Sequence, residues 1–205
     1  MKKKNEEMDI VFLLDRSGSM SGIENDTIGG YNSYIESQKI NNAKVTTILF
    51  DDKYEMLTKR EDIKNIKKLT NKEYYVRGCT ALLDAIGTTI DFMDKEKAKK
   101  VMFVITTDGM ENASKEYNRA KIKEMIKGHK DWEFIYIGAD IDSYSEGQSI
   151  GIDSSNISNY RKDKKGVSML YSAISNATEN YREDRRNNVD WKQDLEKYVN
   201  DNISK

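Results

Sequence analysis

Three short segments, Asp9 to Leu14, Val101 to Thr107 and Trp132 to Gly138, are almost wholly apolar and rich in β-branched or aromatic side chains. Their length suits strands, and their lack of polar alternation demands burial on both faces. A mostly parallel sheet with helices packed on both sides meets that demand. A fourth apolar run, Lys44 to Phe50, ends at Asp51-Asp52 and is followed almost at once by Lys53 to Leu57. So short a link permits only an antiparallel hairpin.

Helical spacing fills the intervals. Ile28, Tyr31 and Ile35 recur three and four apart. Leu82, Ile86, Ile90 and Met93 form a second stripe, and Ile122, Met125 and Ile126 a third. A longer stripe runs through Val167, Leu170, Tyr171, Ile174, Ala177 and Tyr181. Each marks one apolar helix face. Strands alternating with such helices, with one hairpin, describe an open, mostly parallel α/β sheet with helices on both faces. After Tyr181 the chain turns to Arg, Glu, Asp and Asn, and then Trp191, Leu195 and Val199 return at helical spacing. The expectation is a short helix that packs back on the domain.

Composition excludes several functions. The 205 residues hold 34 basic and 35 acidic side chains, a net charge of -1. Nucleic acid is therefore not the expected partner, because phosphate binding needs a basic excess. No segment is long and apolar enough to span a bilayer, so no membrane role is expected. One cysteine, Cys79, allows no intrachain disulfide. No apolar stretch follows the basic start Lys2-Lys3-Lys4, so a reduced, cytoplasmic setting is expected. With no proline in the chain, turns rely on Gly, Asn, Asp and Ser.

The chemistry gathers where the strands end. The first strand runs into Asp15-Arg16-Ser17-Gly18-Ser19-Met20. Ligands of open α/β sheets lie outside the carboxyl ends of strands. A carboxylate and two hydroxyls there offer oxygen atoms to one space, and Gly18 is expected to let the backbone bend between them. Hard cations choose oxygen, and Mg2+ accepts few protein ligands while keeping waters. The string alone is weak, since it also reads as a turn and helix cap. Its weight comes from two later positions. Val101 to Thr107 ends in Asp108-Gly109, and Arg77-Gly78-Cys79-Thr80 precedes a helix at the same edge.

Asp15-x-Ser17-x-Ser19, Thr80 within Gly78-Cys79-Thr80-Ala81-Leu82, and Thr107-Asp108-Gly109 together resemble the metal-ion-dependent adhesion site (MIDAS) of the von Willebrand factor A family. The version Asp-x-Ser-Gly-Ser-Met is similar to the intracellular prokaryotic branch. Gly29-Gly30-Tyr31-Asn32, Thr80 to Ala85, Glu111-Asn112-Ala113-Ser114 and Trp132-Glu133-Phe134 resemble a bacterial and prophage subgroup. The likeness covers residues 8–181. It implies an amino-terminal tail over 1–7 and a charged, helical carboxyl-terminal extension over 182–205.

The resemblance implies a doubly wound α/β domain with a six-stranded sheet of order 3-2-1-4-5-6, strand 3 antiparallel. It implies that Ser17 and Ser19 bind Mg2+ directly, Thr80 directly or through water, and Asp15 and Asp108 mostly through water. An Asp or Glu carboxylate of a partner protein then completes the coordination. Mn2+ and Ca2+ are alternatives, with hydroxyl-rich sites favouring Mg2+ or Mn2+. Gly18, Met20, Cys79, Gly109, Glu111 and Asn112 adjoin these ligands in the chain and are candidates for the rim or for orienting the ligands. Cys79 departs from the pattern, since relatives usually have Gly or a small polar residue there.

The function expected is metal-dependent protein binding rather than catalysis. The sole histidine, His129, sits in a loop or helix end among Lys127, Gly128 and Lys130, a poor place for a general base. One alternative is a Mg2+-dependent phosphohydrolase with Asp15 as nucleophile. Such enzymes want a second Asp where this chain has Ser17, and no P-loop is present. Another keeps the binding module and makes it an adaptor for an AAA-type ATPase or a prophage or particle component. Asp51-Asp52 and Asp140 with Asp142 also follow strands, where they read either as helix caps and turns or as a second cation site.

Overall fold

The computed structural model describes residues 7–139, 142–185 and 190–202. Lys2, Lys3, Lys4, Asp140 and part of the charged stretch after Tyr181 lie outside the described residues. Six strands form one sheet: β1 (Met8–Asp15), β2 (Ala43–Phe50), β3 (Tyr54–Asp62), β4 (Val101–Thr107), β5 (Glu133–Gly138) and β6 (Ile157–Asn159). Their spatial order is β3-β2-β1-β4-β5-β6. The β2–β3 pair is antiparallel and all other pairs are parallel.

The continuous apolar runs have a direct explanation. In β1, Ile10, Phe12 and Leu14 face one layer while Val11 and Leu13 face the other, and all five are fully buried. The first layer holds α1 (Glu24–Gln38) and α5 (Lys164–Arg182), which pack on each other. The second holds α2 (Leu82–Lys95), α3 (Arg119–Gly128) and α4 (Ser143–Ser149). Phe12 is gripped edge-on by Tyr31 and Tyr34 of α1 at 5.4 and 5.0 Å between centroids. Edge-to-face pairing of this kind adds about 0.5–1.5 kcal/mol per pair beyond burial. Local signals set the helix starts. Asn118, Asp142 and Asp163 each accept a hydrogen bond from an amide of the first turn of α3, α4 and α5. Asp142 is thus a helix cap.

The boundaries depart from the expected ones most clearly at β3 and β5. β3 continues to Asp62 rather than ending at Leu57, and Arg60, in the left-handed region at φ 43, turns its guanidinium onto both oxygens of Asp9 at 2.7 and 3.0 Å. Trp132 lies just ahead of β5, where its ring packs 4.0 Å from His129. The short β6 and α4 carry too few apolar residues to be read as elements from spacing alone.

The final helix, α6 (Gln193–Asn200), packs back on the sheet edge. Trp191 and Leu195 join the α1–α5 core. The Trp191 indole donates to the Ser155 carbonyl at 3.0 Å, and the Lys192 ammonium donates to the carbonyls of Ser154 and Ile157 at 3.0 and 2.6 Å. These contacts cover β6, an edge strand whose unpaired backbone would otherwise face solvent. Among the described residues no helix is long and apolar enough to cross a membrane.

Candidate metal centre

The carboxyl ends of β1 and β4 lie side by side, since the two strands run parallel in register from Asp9–Val101 to Leu14–Thr106. Asp15 and Asp108 therefore emerge at one edge. A third loop, 77–80, is laid against them by backbone bonds. The Arg77 amide donates to the Arg16 carbonyl at 2.8 Å, and the Gly18 amide donates to the Gly78 carbonyl at 3.2 Å. The Ala81 amide ties the same loop to the end of β2 through the Asp51 carbonyl at 2.8 Å. All five candidate ligands, Asp15, Ser17, Ser19, Thr80 and Asp108, thus come from three loops that converge.

Their hydroxyls surround Gly109. A Cβ placed on Gly109 would stand 2.4 Å from Thr80 Oγ1 and 3.2 Å from both Ser17 Oγ and Ser19 Oγ. Three oxygen donors around one small space, with two carboxylates beside it, fit a hard divalent cation. Ser17 Oγ and Ser19 Oγ are 3.0 Å apart, and Ser19 Oγ donates to Asp108 Oδ1 at 2.6 Å. Asp15, Ser17, Thr80 and Asp108 are buried and Ser19 is exposed. The site is open on the Ser19 side. Among the described residues no cluster of three His, Cys, Asp or Glu side chains could hold a metal, and the oxygen atoms gathered here belong to three hydroxyls and two carboxylates.

Asp15 is held from several directions. Its Oδ1 accepts the Ser17 amide at 2.6 Å and its Oδ2 accepts the Thr107 hydroxyl at 2.5 Å. Burial pushes its carboxyl up to about 6, against the pull of the Thr107 and Ser17 hydrogen bonds, and the nearby Asp108 charge pushes the same way. A divalent ion would relieve that strain by supplying the missing positive charge. Behind it, the fully buried Tyr74 donates its phenol to the Asp15 carbonyl at 2.6 Å, fixing the end of β1.

The neighbours of the ligands play unequal parts. Asn112 Oδ1 accepts the Thr80 amide at 2.9 Å, and the Asn112 amide returns a bond to the Thr80 carbonyl at 3.0 Å. Glu111 accepts amides from Leu83, Ala113 and Ser114 and the Ser114 hydroxyl, which pins the start of α2 to the loop after β4. Asn112 thus orients Thr80, while Glu111 braces the loop that carries Asn112. Met20 is buried against Tyr160, its Sδ 3.9 Å from the Tyr160 hydroxyl. Cys79 and Met110 are exposed at the rim. Gly18 is not where the backbone needs glycine, because a Cβ there would meet only the Gly78 carbonyl oxygen at 3.6 Å. The left-handed residue is Gly78, at φ +67, where a Cβ would also stand 2.5 Å from Asp52 Oδ1.

Asp51 is engaged by protein cations instead of standing open at the sheet edge. Its Oδ2 accepts from Arg16 Nε at 3.0 Å and Arg77 Nε at 2.6 Å. Arg16 is fully buried and also reaches Glu55 at 2.8 Å. The pairing locks the two loops that carry Ser17 and Thr80.

Two participants were not singled out in the sequence as members of the site. Thr107 was visible as part of Thr-Asp-Gly, but nothing in that string says that its hydroxyl binds Asp15. Lys162 sits in Arg161-Lys162-Asp163-Lys164-Lys165, which reads as a solvated charge run. Its ammonium nonetheless lies 2.8 Å from Asp108 Oδ2 and donates to the Ser19 carbonyl.

No protein-family model and no curated protein matches the chain. Solved structures do. Proximal thread matrix protein 1 from the mussel byssus, in a form with a zinc-occupied MIDAS motif, matches 82% of this chain at 15% identity and a TM-score of 0.60. Manganese-loaded TRAP protein of Plasmodium vivax matches 83% of this chain and 74% of its own, at 16% identity and a TM-score of 0.59. The ArnB paralog VWA2 from Sulfolobus acidocaldarius matches 82% at 20% identity and a TM-score of 0.58. The chain spans about 45% of the length of the mussel protein and 44% of the archaeal one. These likenesses, with the strand order β3-β2-β1-β4-β5-β6, establish a doubly wound α/β fold of the von Willebrand factor A type.

Proposed function

We propose that this protein is a metal-dependent protein-binding module in which Asp15, Ser17, Ser19, Thr80 and Asp108 hold a divalent cation. The observation that carries the reading is the cradle of three hydroxyls around Gly109, flanked by two carboxylates at the carboxyl edge of the sheet. Mg2+ is the proposed ion, with Mn2+ close behind and Ca2+ less suited to so few ligands. Similar structures of the mussel and Plasmodium proteins carry zinc in a MIDAS motif and manganese, which supports a divalent ion in general. An ion bound mainly by neutral hydroxyls stays electrophilic, and an Asp or Glu side chain of a partner protein would satisfy it.

Binding rather than catalysis is the reading favoured by what surrounds the cradle. His129 precedes β5 and so lies at the edge opposite the site, occupied by the Met125 carbonyl and Asp94 at 2.7 and 2.8 Å. No imidazole is in reach to serve as a general base. The test is an affinity capture from the native host in Mg2+ against EDTA, run beside Ser17→Ala. The expected result is a partner retained only by the unaltered protein in Mg2+. Equal retention in EDTA would contradict the reading and direct attention to α6.

A further inference from the structure

The Lys162 side chain is placed by design of the loop that carries it, not by the chance of a flexible surface lysine. Tyr160, on one side, is buried, and its amide donates to the Gly138 carbonyl at 2.9 Å. Asp163, on the other, caps α5 by accepting the Gly166 amide at 2.7 Å. The neighbouring Arg161 points elsewhere, to the Asn202 carbonyl at 2.7 Å and to Asp163 at 3.0 Å. Of this basic run, Lys162 is the member whose ammonium spans two site loops, touching the Ser19 carbonyl and Asp108 Oδ2. The Asp108 side chain is fully buried, whereas that of Lys162 is 22% exposed.

We propose that Lys162 is a tethered cation that competes with the divalent ion for Asp108, and so sets the metal concentration at which the site loads. The inference rests on the metal-binding reading given above. Asp15 and Asp108 bring two negative charges to the cradle, and Lys162 offsets one of them. An incoming divalent ion therefore meets less attraction than the two carboxylates alone would offer. It also meets repulsion from an ammonium only a few ångströms away. Because Asp108 is buried, that repulsion is only partly screened. To hold the ion, Asp108 must share or surrender its contact with Lys162. The partial exposure and flexible stem of Lys162 give the ammonium a way out to solvent.

The competition makes a prediction opposite to that of a simple supporting role. A lysine that merely stabilised the loops would, when neutralised, weaken metal binding. A competitor would, when neutralised, strengthen it. The experiment is Mg2+ titration by calorimetry at fixed ionic strength on the unaltered protein, Lys162→Met, Lys162→Gln and Lys162→Arg, with thermal melts in EDTA and in saturating Mg2+. The expected result is about tenfold tighter binding in both neutral variants, equal to about 1.4 kcal/mol, and near-unaltered binding in Lys162→Arg. The melting temperature of the neutral variants should rise more on adding Mg2+ than that of the unaltered protein. Equal or weaker binding by both folded neutral variants, with the unaltered protein binding normally, would overturn the competition alone. Absence of Mg2+ binding in every form would overturn the metal site itself and this inference with it.

Discussion

Thr107 donates its hydroxyl to Asp15 Oδ2 at 2.5 Å, joining the ends of β4 and β1 directly behind the cradle. The bond orients a carboxylate that burial alone would leave reluctant to ionise, since its pKa already stands at about 6. Thr107→Val keeps the shape and removes the donor. Mg2+ affinity is expected to fall about 10- to 100-fold, as for other groups that orient metal ligands, and Thr107→Ser is expected to restore most of it. Titration calorimetry at neutral pH measures both. An unchanged affinity in the valine variant would show that the bond has no part in ion binding.

Gly109 tests the cradle itself. The added methyl of Gly109→Ala would lie 2.4 Å from Thr80 Oγ1, inside any permitted contact, and would crowd Ser17 and Ser19. The expected outcome is loss of Mg2+ affinity by about 100-fold or more, the scale on which small displacements of positioned groups act. Far-UV circular dichroism should remain that of the unaltered protein, because Gly109 lies beyond the end of β4. Normal Mg2+ binding in a folded Gly109→Ala would place the ion elsewhere.

The fold was largely legible because the strands that matter are buried on both faces. Ile10, Val11, Phe12, Leu13 and Leu14 cannot sit on an exposed sheet, and the helix stripes supplied the two covering layers. The convergence of the candidate ligands was legible, since Asp15 and Asp108 follow such strands and β1 pairs β4. What surrounds the ligands was not. Lys162 lies far along the chain from Asp108, and no local pattern separates a lysine that turns into a site from one that turns to water. Gly18 and Gly78 were indistinguishable in sequence, although only Gly78 adopts a left-handed backbone. β6 is three residues long and is recognised by its pairing with β5 rather than by its composition.

The Arg16–Asp51–Arg77 group should govern acid stability. Burial alone would raise the Asp51 carboxyl, but the hydrogen bonds from Arg77 and the Lys53 amide and the charge of Arg16 outweigh it and hold the pKa below 3.8. A depressed carboxylate contributes stability above its unfolded value, and that contribution is lost as pH falls through the folded value. Denaturant melts should therefore show this loss beginning near pH 3.8 and continuing below it. Asp51→Asn leaves Arg16 buried without its carboxylate and is expected to cost about 3–5 kcal/mol at neutral pH. A cost under about 1 kcal/mol would mean that Glu55 alone satisfies Arg16.

The α6 contacts predict a separation of stability from metal binding. Trp191→Ala removes a ring from the α1–α5 core and its bond to Ser155, for an expected loss of about 3 kcal/mol. Mg2+ affinity in the folded variant should be unchanged, since Trp191 contacts none of the three site loops in the bonds it makes. A loss of metal affinity without loss of stability would instead tie the carboxyl-terminal helix to the site.

The most direct measurement is Mg2+ titration by calorimetry of the unaltered protein beside Asp15→Ala, with circular dichroism to verify that both are folded. The result expected is a saturable, single-site heat in the unaltered protein that disappears in Asp15→Ala. Equal heats in the two proteins, or no saturable heat in either, would contradict the assignment of the cradle around Gly109 as a divalent metal site.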